Sequence, residues 1–221
     1  MHITLNNLKS INDEIKEIVN RKQLKITPNI IAVSKTFPLD KILPIIESGH
    51  VHFGENKVQE AETKWLNFKN KNKNIKLHML GKLQSNKAKK AIETFDYIHS
   101  LDNPKLAEKI SHYEKIIGKK TNLFIQVNLA DEQQKSGIIL NDLDSFYTYC
   151  SKDLSLNVIG LMCLPPINSN TEKYFKMLKD ISVKLNVPHL SMGMSSDYNL
   201  AVESGSTFLR LGTAIFGKRN I

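Results

Sequence analysis

Short runs of aliphatic and β-branched residues alternate with amphipathic stretches along this chain eight times, and no low-complexity linker interrupts the alternation. Apolar runs of this length read as strands buried on both faces, and repeated strand–helix units point to a parallel sheet covered by helices. The strand expectations cover the run into Lys35 and residues 50–56, 76–81, 97–101, 123–129, 157–164 and 189–194. An eighth runs from Phe208 through Gly212 into the residues after it. Helices are expected over residues 40–49, 57–71, 85–94, 104–117, 141–151, 171–186 and 197–204, with an additional N-terminal helix over 4–22. Leu5, Leu8, Ile11, Ile15 and Ile18 give that first helix its period. Asn103-Pro104 is a strong helix start. The expected fold is α/β, a single (β/α)8 TIM barrel with an extra N-terminal helix, one domain over residues 1–221. An open doubly wound sheet is the alternative.

Composition narrows the function classes. Hydrophobic content of 41% and charged content of 24% suit a globular chain with a substantial core. No run approaches the roughly 18 apolar residues of a membrane span, and the first residues lack a secretory pattern. Cys150 and Cys163 form no motif and read as free thiols in a reducing compartment, which makes the cytoplasm the expected location. The net charge of +9 raises the question of nucleic acid. The lysines are spread among asparagines and isoleucines along the whole chain, so an anionic small molecule is the better-supported ligand.

In a barrel, ligands gather at the C-terminal ends of the strands. Lys35 falls there, at the mouth of an apolar sheet. Desolvation at such a place favours the neutral amine that a Schiff base requires. Asn56 can both donate to and accept from a ring hydroxyl or aldehyde oxygen. Ser195 lies at the junction of the seventh strand with a short helix that Ser196 and Asp197 could cap, and whose N–H groups suit a phosphate. Gly212 and Thr213 close the eighth strand with accessible backbone and a hydroxyl, beside Arg210. A Schiff-base lysine with a phosphate cup implies pyridoxal 5′-phosphate. His50 and His52 share a strand but lack a third ligand, so barrel filling is expected there and no metal. Lys135, and the basic segment from Lys82 to Lys90, are candidate secondary contacts, with solvated surface as the plainer reading.

The motifs Ala32-Val33-Ser34-Lys35, Phe53-Gly54-Glu55-Asn56-Lys57-Val58-Gln59-Glu60 and His78-Met79-Leu80-Gly81-Lys82-Leu83-Gln84-Ser85-Asn86-Lys87 occur in this order. Gly160-Leu161-Met162, Met192-Gly193-Met194-Ser195-Ser196-Asp197 and Arg210-Leu211-Gly212-Thr213-Ala214-Ile215-Phe216-Gly217 follow them. In this set, nearly end to end, the chain resembles the YggS/PROSC family of pyridoxal phosphate homeostasis proteins, built on the alanine racemase N-terminal barrel. The resemblance implies Lys35 as the internal aldimine, Asn56 as a cofactor neighbour, and Ser195, Gly212 and Thr213 at the phosphate. It also implies Arg210 facing the pyridine nitrogen. Lys57 and Met79-Leu80 depart from the usual pattern without touching that chemistry.

A guanidinium does not readily surrender a proton, so a ring nitrogen held by Arg210 stays unprotonated and the ring is a weak electron sink. Racemisation also needs an acid/base group on each face of the substrate adduct. Alanine racemases take the second from a tyrosine on a further domain, which is not expected here, and Tyr198 reads as helix surface. The expectation is therefore a pyridoxal 5′-phosphate carrier in vitamin B6 and amino-acid homeostasis, monomeric, possessing no robust turnover, with apo-enzymes as candidate recipients. A small amino-acid racemase and a basic nucleic-acid-binding barrel are the alternatives.

Overall fold

The computed structural model describes residues 2–132, 134–167 and 169–218, so Met1 and the last three residues of the expected domain lie outside it. The elements follow in the order α1 (Ile3–Arg21), β1 (Asn29–Val33), α2 (Leu39–Glu47), β2 (His52–Glu55), α3 (Val58–Lys71), β3 (Lys76–Met79), α4 (Ala88–Thr94), β4 (Tyr97–Leu101) and α5 (Pro104–Ile117). Then come β5 (Asn122–Asn128), β6 (Ile138–Ile139), α6 (Leu140–Thr148), β7 (Val158–Cys163), α7 (Thr171–Lys184), β8 (His189–Met194), α8 (Tyr198–Glu203), β9 (Phe208–Leu211) and α9 (Thr213–Phe216). Strands β1, β2, β3, β4, β5, β7, β8 and β9 are hydrogen-bonded in that order, all parallel, and β9 pairs with β1 to close the ring. The eight-stranded barrel is thus the observed fold, and the open sheet is excluded by that closure.

Side chains on a strand alternate faces, and the barrel separates them. Phe53, Leu77, Ile98, Ile125, Leu161, Leu190 and Leu209 join the core shared with the helices. Ile31, Phe124, Met162 and Phe208 form a second, smaller cluster. That cluster is the barrel interior, which polar side chains complete. Helix α1 is amphipathic as expected: Leu8, Ile11, Ile15 and Ile18 are buried, and it packs against α2, α8 and α9.

Four local expectations need correction. Strand β1 ends at Val33, so Lys35 sits in the turn beyond it rather than at the strand end. Ser34 N donates the last ladder bond, to Gly54 O at 2.9 Å, and Phe37 N then turns back to donate to Ser34 O at 3.1 Å. Residues after Leu211 were expected to extend the last strand but form α9. The chain closes a helical turn there, Phe216 N donating to Gly212 O at 2.9 Å and Gly217 N to Thr213 O at 3.0 Å. A two-residue strand, β6, pairs beside Val127 and Asn128 and lay below the length that a periodicity argument resolves. The expected helix over 85–94 opens as a 3-10 turn, Ser85–Lys87, before α4.

Gly160 shows how closely neighbouring strands approach: a Cβ there would lie 2.1 Å from His189 O. A Gly160→Ala substitution is therefore expected to cost about 3 kcal/mol of stability by overpacking. Urea unfolding checks this, and an unchanged midpoint would contradict the strand spacing described.

Candidate functional site

Because β1 pairs with β9, the turn after β1 and the loop after β9 face one another at the C-terminal rim. The structure brings together all six residues expected at the site. Lys35, Asn56, Ser195, Arg210, Gly212 and Thr213 line one cavity of about 550 Å³ at the rim. A second lobe of about 380 Å³ shares Asn56 with it and is lined by Gln126, Asn128 and Lys135, among others. Lys135 there is ion-paired with Glu132 at 2.7 Å.

Ser195 Oγ accepts from the backbone N–H groups of Gly212 at 3.3 Å and Ala214 at 3.1 Å. Asp197 makes no side-chain cap to α8 and instead accepts from Met194 N at 2.6 Å. The loop after β9 presents backbone N–H groups, as expected at Gly212, and adds that of Ala214. A Cβ on Gly212 would meet nothing in the protein closer than Val33 at 3.6 Å. Packing therefore does not demand glycine at 212; the missing side chain keeps room in the cavity.

Lys35 is partly buried, in a turn whose next residue, Thr36, has a φ of 66°. That left-handed conformation is costly for a β-branched residue and persists only where its surroundings impose it. Thr36 N donates to Glu60 Oε1 at 2.6 Å. Lys64 Nζ then ties the turn down by donating to Ser34 O at 2.9 Å, Glu55 Oε1 at 2.9 Å and Glu60 Oε1 at 3.2 Å. Glu55 is fully buried, and its Oε1 also accepts from Ser34 Oγ and Trp65 Nε1, while its Oε2 has no hydrogen-bond partner among the described residues. Sequence reasoning missed this clamp. Its one visible signal was the Glu60–Lys64 spacing of four on a helix.

Arg210 is 6% exposed and makes no ion pair among the described residues. Its anchors are neutral: Nη1 donates to Ser191 Oγ at 2.8 Å and Nη2 to Cys163 O at 2.9 Å. Burial lowers its pKa, with Cys163 and Asp197 acting in the opposite direction. A buried guanidinium lacking a carboxylate partner favours an anionic or acceptor-rich ligand.

Below Arg210 a row of side chains descends through the barrel. Ser191 Oγ lies 2.8 Å from His99 Nδ1, His99 Nε2 lies 2.9 Å from His78 Nδ1, and His78 Nε2 lies 2.9 Å from His52 Nδ1. His99 stacks on Phe124 and His78 on Tyr97, each with ring centroids 4.2 Å apart. Burial holds His78 and His99 well below the ordinary imidazole value, and burial with His50 nearby brings His52 down to about 4. His52 fills the barrel, as expected, and among the described residues no group of three or more His, Cys, Asp or Glu is arranged to hold a metal. Cys150 and Cys163 are buried free thiols, each pushed up to about 12 by burial, and so are poor nucleophiles. No described helix is long and apolar enough to cross a membrane.

The sequence profile of the alanine racemase N-terminal domain matches residues 6–220. The pyridoxal phosphate homeostasis protein of Escherichia coli is 35% identical, with 100% of this chain and 98% of that protein covered. Its Haemophilus influenzae counterpart is also 35% identical, with 88% and 86% covered. Among solved structures, PipY of Synechococcus elongatus without PLP matches at a TM-score of 0.82, and with PLP bound at 0.80. That protein is 36% identical, with 92% of this chain and 100% of PipY covered. An alanine racemase of Clostridium difficile shares the fold alone, at 14% identity and a TM-score of 0.69, over 99% of this chain and 56% of the racemase.

Two outcomes test this geometry. Replacing Lys64 with Met leaves the Glu55 carboxylate buried without its cation and is expected to cost about 3–5 kcal/mol; thermal and urea unfolding read it directly. Separately, His78 and His99 are neutral in the fold and titrate near 6.5 once unfolded, so below that pH the unfolded chain binds more protons. Stability is thus complete above pH ~6.5 and falls by about 1.4 kcal/mol per histidine per pH unit on acidification. Urea midpoints measured at about pH 7.5 and about pH 5.5 should differ accordingly; equal midpoints would show that the two imidazoles are not held neutral.

Proposed function

Because the chain belongs to the pyridoxal phosphate homeostasis protein family, whose barrel is that of the alanine racemase N-terminal domain, we propose that it binds pyridoxal 5′-phosphate reversibly through Lys35. It holds the cofactor for vitamin B6 and amino-acid homeostasis and releases it to apo-enzymes in the cytoplasm. The observation that carries this reading is the shared cavity: an amine, a buried guanidinium without a carboxylate, and a cup of backbone N–H and hydroxyl groups face one space.

The residues present fit the group. The N–H groups of Gly212 and Ala214, with the Ser195 and Thr213 hydroxyls, offer donors to a phosphate, and glycine at 212 leaves it room. Arg210 donates to a ring nitrogen and, being unable to give up its proton, keeps that nitrogen unprotonated. Asn56 offers its amide to the ring substituents. When bound, the cofactor supplies an aldehyde that the Lys35 amine captures with loss of one water and releases by the reverse reaction.

The same cavity supports a carrier over a catalyst. Of the described residues lining it, only Lys35 and Arg210 carry ionisable side chains, and a guanidinium does not readily surrender its proton. A racemase needs a second acid/base group, besides Lys35, on the opposite face. Tyr198 does not supply it: its hydroxyl donates to Glu14 of α1, on the outside of the barrel, and both burial and Glu14 raise its pKa. Arg210 in place of a carboxylate also leaves the ring a weak electron sink.

Protein mixed with pyridoxal 5′-phosphate is expected to gain a visible absorbance band that borohydride reduction fixes as a mass increment on the peptide carrying Lys35. Lys35→Ala should lose both while keeping its fold. A coloured, reducible adduct in the Lys35→Ala protein would move the site elsewhere, and sustained interconversion of D- and L-alanine would favour the racemase.

A further inference from the structure

The row from Arg210 to His52 is closed to alternatives at one end only, and that asymmetry determines where its protons lie. A neutral imidazole carries one N–H, so each histidine–histidine contact pairs one donor with one acceptor. The row can then be ordered in two ways: every histidine protonated on Nε2, or every histidine protonated on Nδ1. Arg210 is a donor only. It occupies one lone pair of Ser191 Oγ at 2.8 Å, and Ser191 is fully buried.

With Nδ1–H histidines, His99 would also donate to Ser191 Oγ. The serine proton would then be stranded, since the described contacts of that oxygen are Arg210 and His99 alone. With Nε2–H histidines, Ser191 donates to His99 Nδ1, His99 Nε2–H to His78 Nδ1, and His78 Nε2–H to His52 Nδ1. Every buried group in the row is paired. The last Nε2–H belongs to His52, which is only partly buried and within reach of water.

A charged imidazolium breaks either order, because it sets two donors against each other. The aromatic walls, Phe124 on His99 and Tyr97 on His78, offer no counter-charge.

We propose that Arg210 orders the protons of this row, each of His99, His78 and His52 carrying Nε2–H, and that the ordered row in return fixes the Ser191 hydroxyl and aims the guanidinium at the cavity. Ser191 and His99 are then positioning residues, acting through Arg210. The second half of this statement rests on the reading of Arg210 as a cofactor contact; the first half does not.

The test uses full-length protein labelled with ¹⁵N-histidine, without cofactor, at neutral pH. Long-range proton–nitrogen correlations are expected to show His52, His78 and His99 neutral and protonated on Nε2. Nδ1–H on His78 or His99, or an imidazolium signal from either, would overturn the proposal. In Arg210→Met the ordering donor is gone, and His99 should show both tautomers; an unchanged single tautomer in a folded variant would remove Arg210 as the cause. The wild-type spectrum decides the order even if that variant fails to fold. For the positioning role, Ser191→Ala is expected to weaken pyridoxal 5′-phosphate binding roughly tenfold and to shift the absorbance maximum of the loaded protein. Unchanged affinity and spectrum would overturn that role. Should wild-type protein take up no pyridoxal 5′-phosphate, the proposed function fails, while the cofactor-free spectrum still decides the proton order.

Discussion

The pairing of β1 with β9 carries more of this molecule than any other contact. It aligns Ile31 with Arg210 and Ala32 with Leu211, and so brings the turn bearing Lys35 against the loop bearing Gly212 from opposite ends of the sequence. Without this closure the cup and the amine would lie on separate edges of an open sheet. The cost of the contact is entropic, since ordering the long chain between the two strands must precede any return from the pairing.

Closure also creates an interior that the strands must fill, and this barrel fills it with more than hydrocarbon. Ile31, Phe124, Met162 and Phe208 supply the apolar part. The polar part includes a row whose members pair across the barrel, from the Cys163 carbonyl and Ser191 under Arg210 down to His52, while the buried Nδ1 of His189, beside Phe208, has no hydrogen-bond partner among the described residues. A buried guanidinium is costly to desolvate, and two neutral acceptors offset only part of that cost. The remainder is a standing preference for electron-rich ligands at the rim. On the other side of the site the Glu55–Lys64–Glu60 clamp holds Thr36 left-handed, so both ends of the cavity are braced from beneath by side chains that do not line it.

Elements bounded by strong local chemistry were legible in the sequence. Helix α5 runs over the expected residues 104–117 because Asn103 caps Leu106 N at 2.9 Å and Gly118 ends it at a φ of 71°. Lys35, Asn56, Ser195, Arg210, Gly212 and Thr213 were legible as a group because they fall near the C-terminal ends of strands and within motifs of the family that the chain resembles. What could not be read depends on contacts across the barrel. His52, His78, His99 and Ser191 come from four strands, and nothing in their spacing announces that they touch. Residues 213–216 misled because Ala214-Ile215-Phe216 suits a strand locally, whereas the chain after Gly212 closes a helical turn. The clamp stayed hidden because Glu60 and Lys64 look like ordinary helix-surface charges and Glu55 lies on a different element, at the end of β2.

The hydrogen bonds of Ser195 have a practical corollary. Its hydroxyl oxygen already accepts from Gly212 and Ala214, so those amides are not orphaned when no anion is near. A site that an anion enters must be sound in both conditions, and turning the Ser195 hydroxyl away would free both amides with no rearrangement of the strands beneath them.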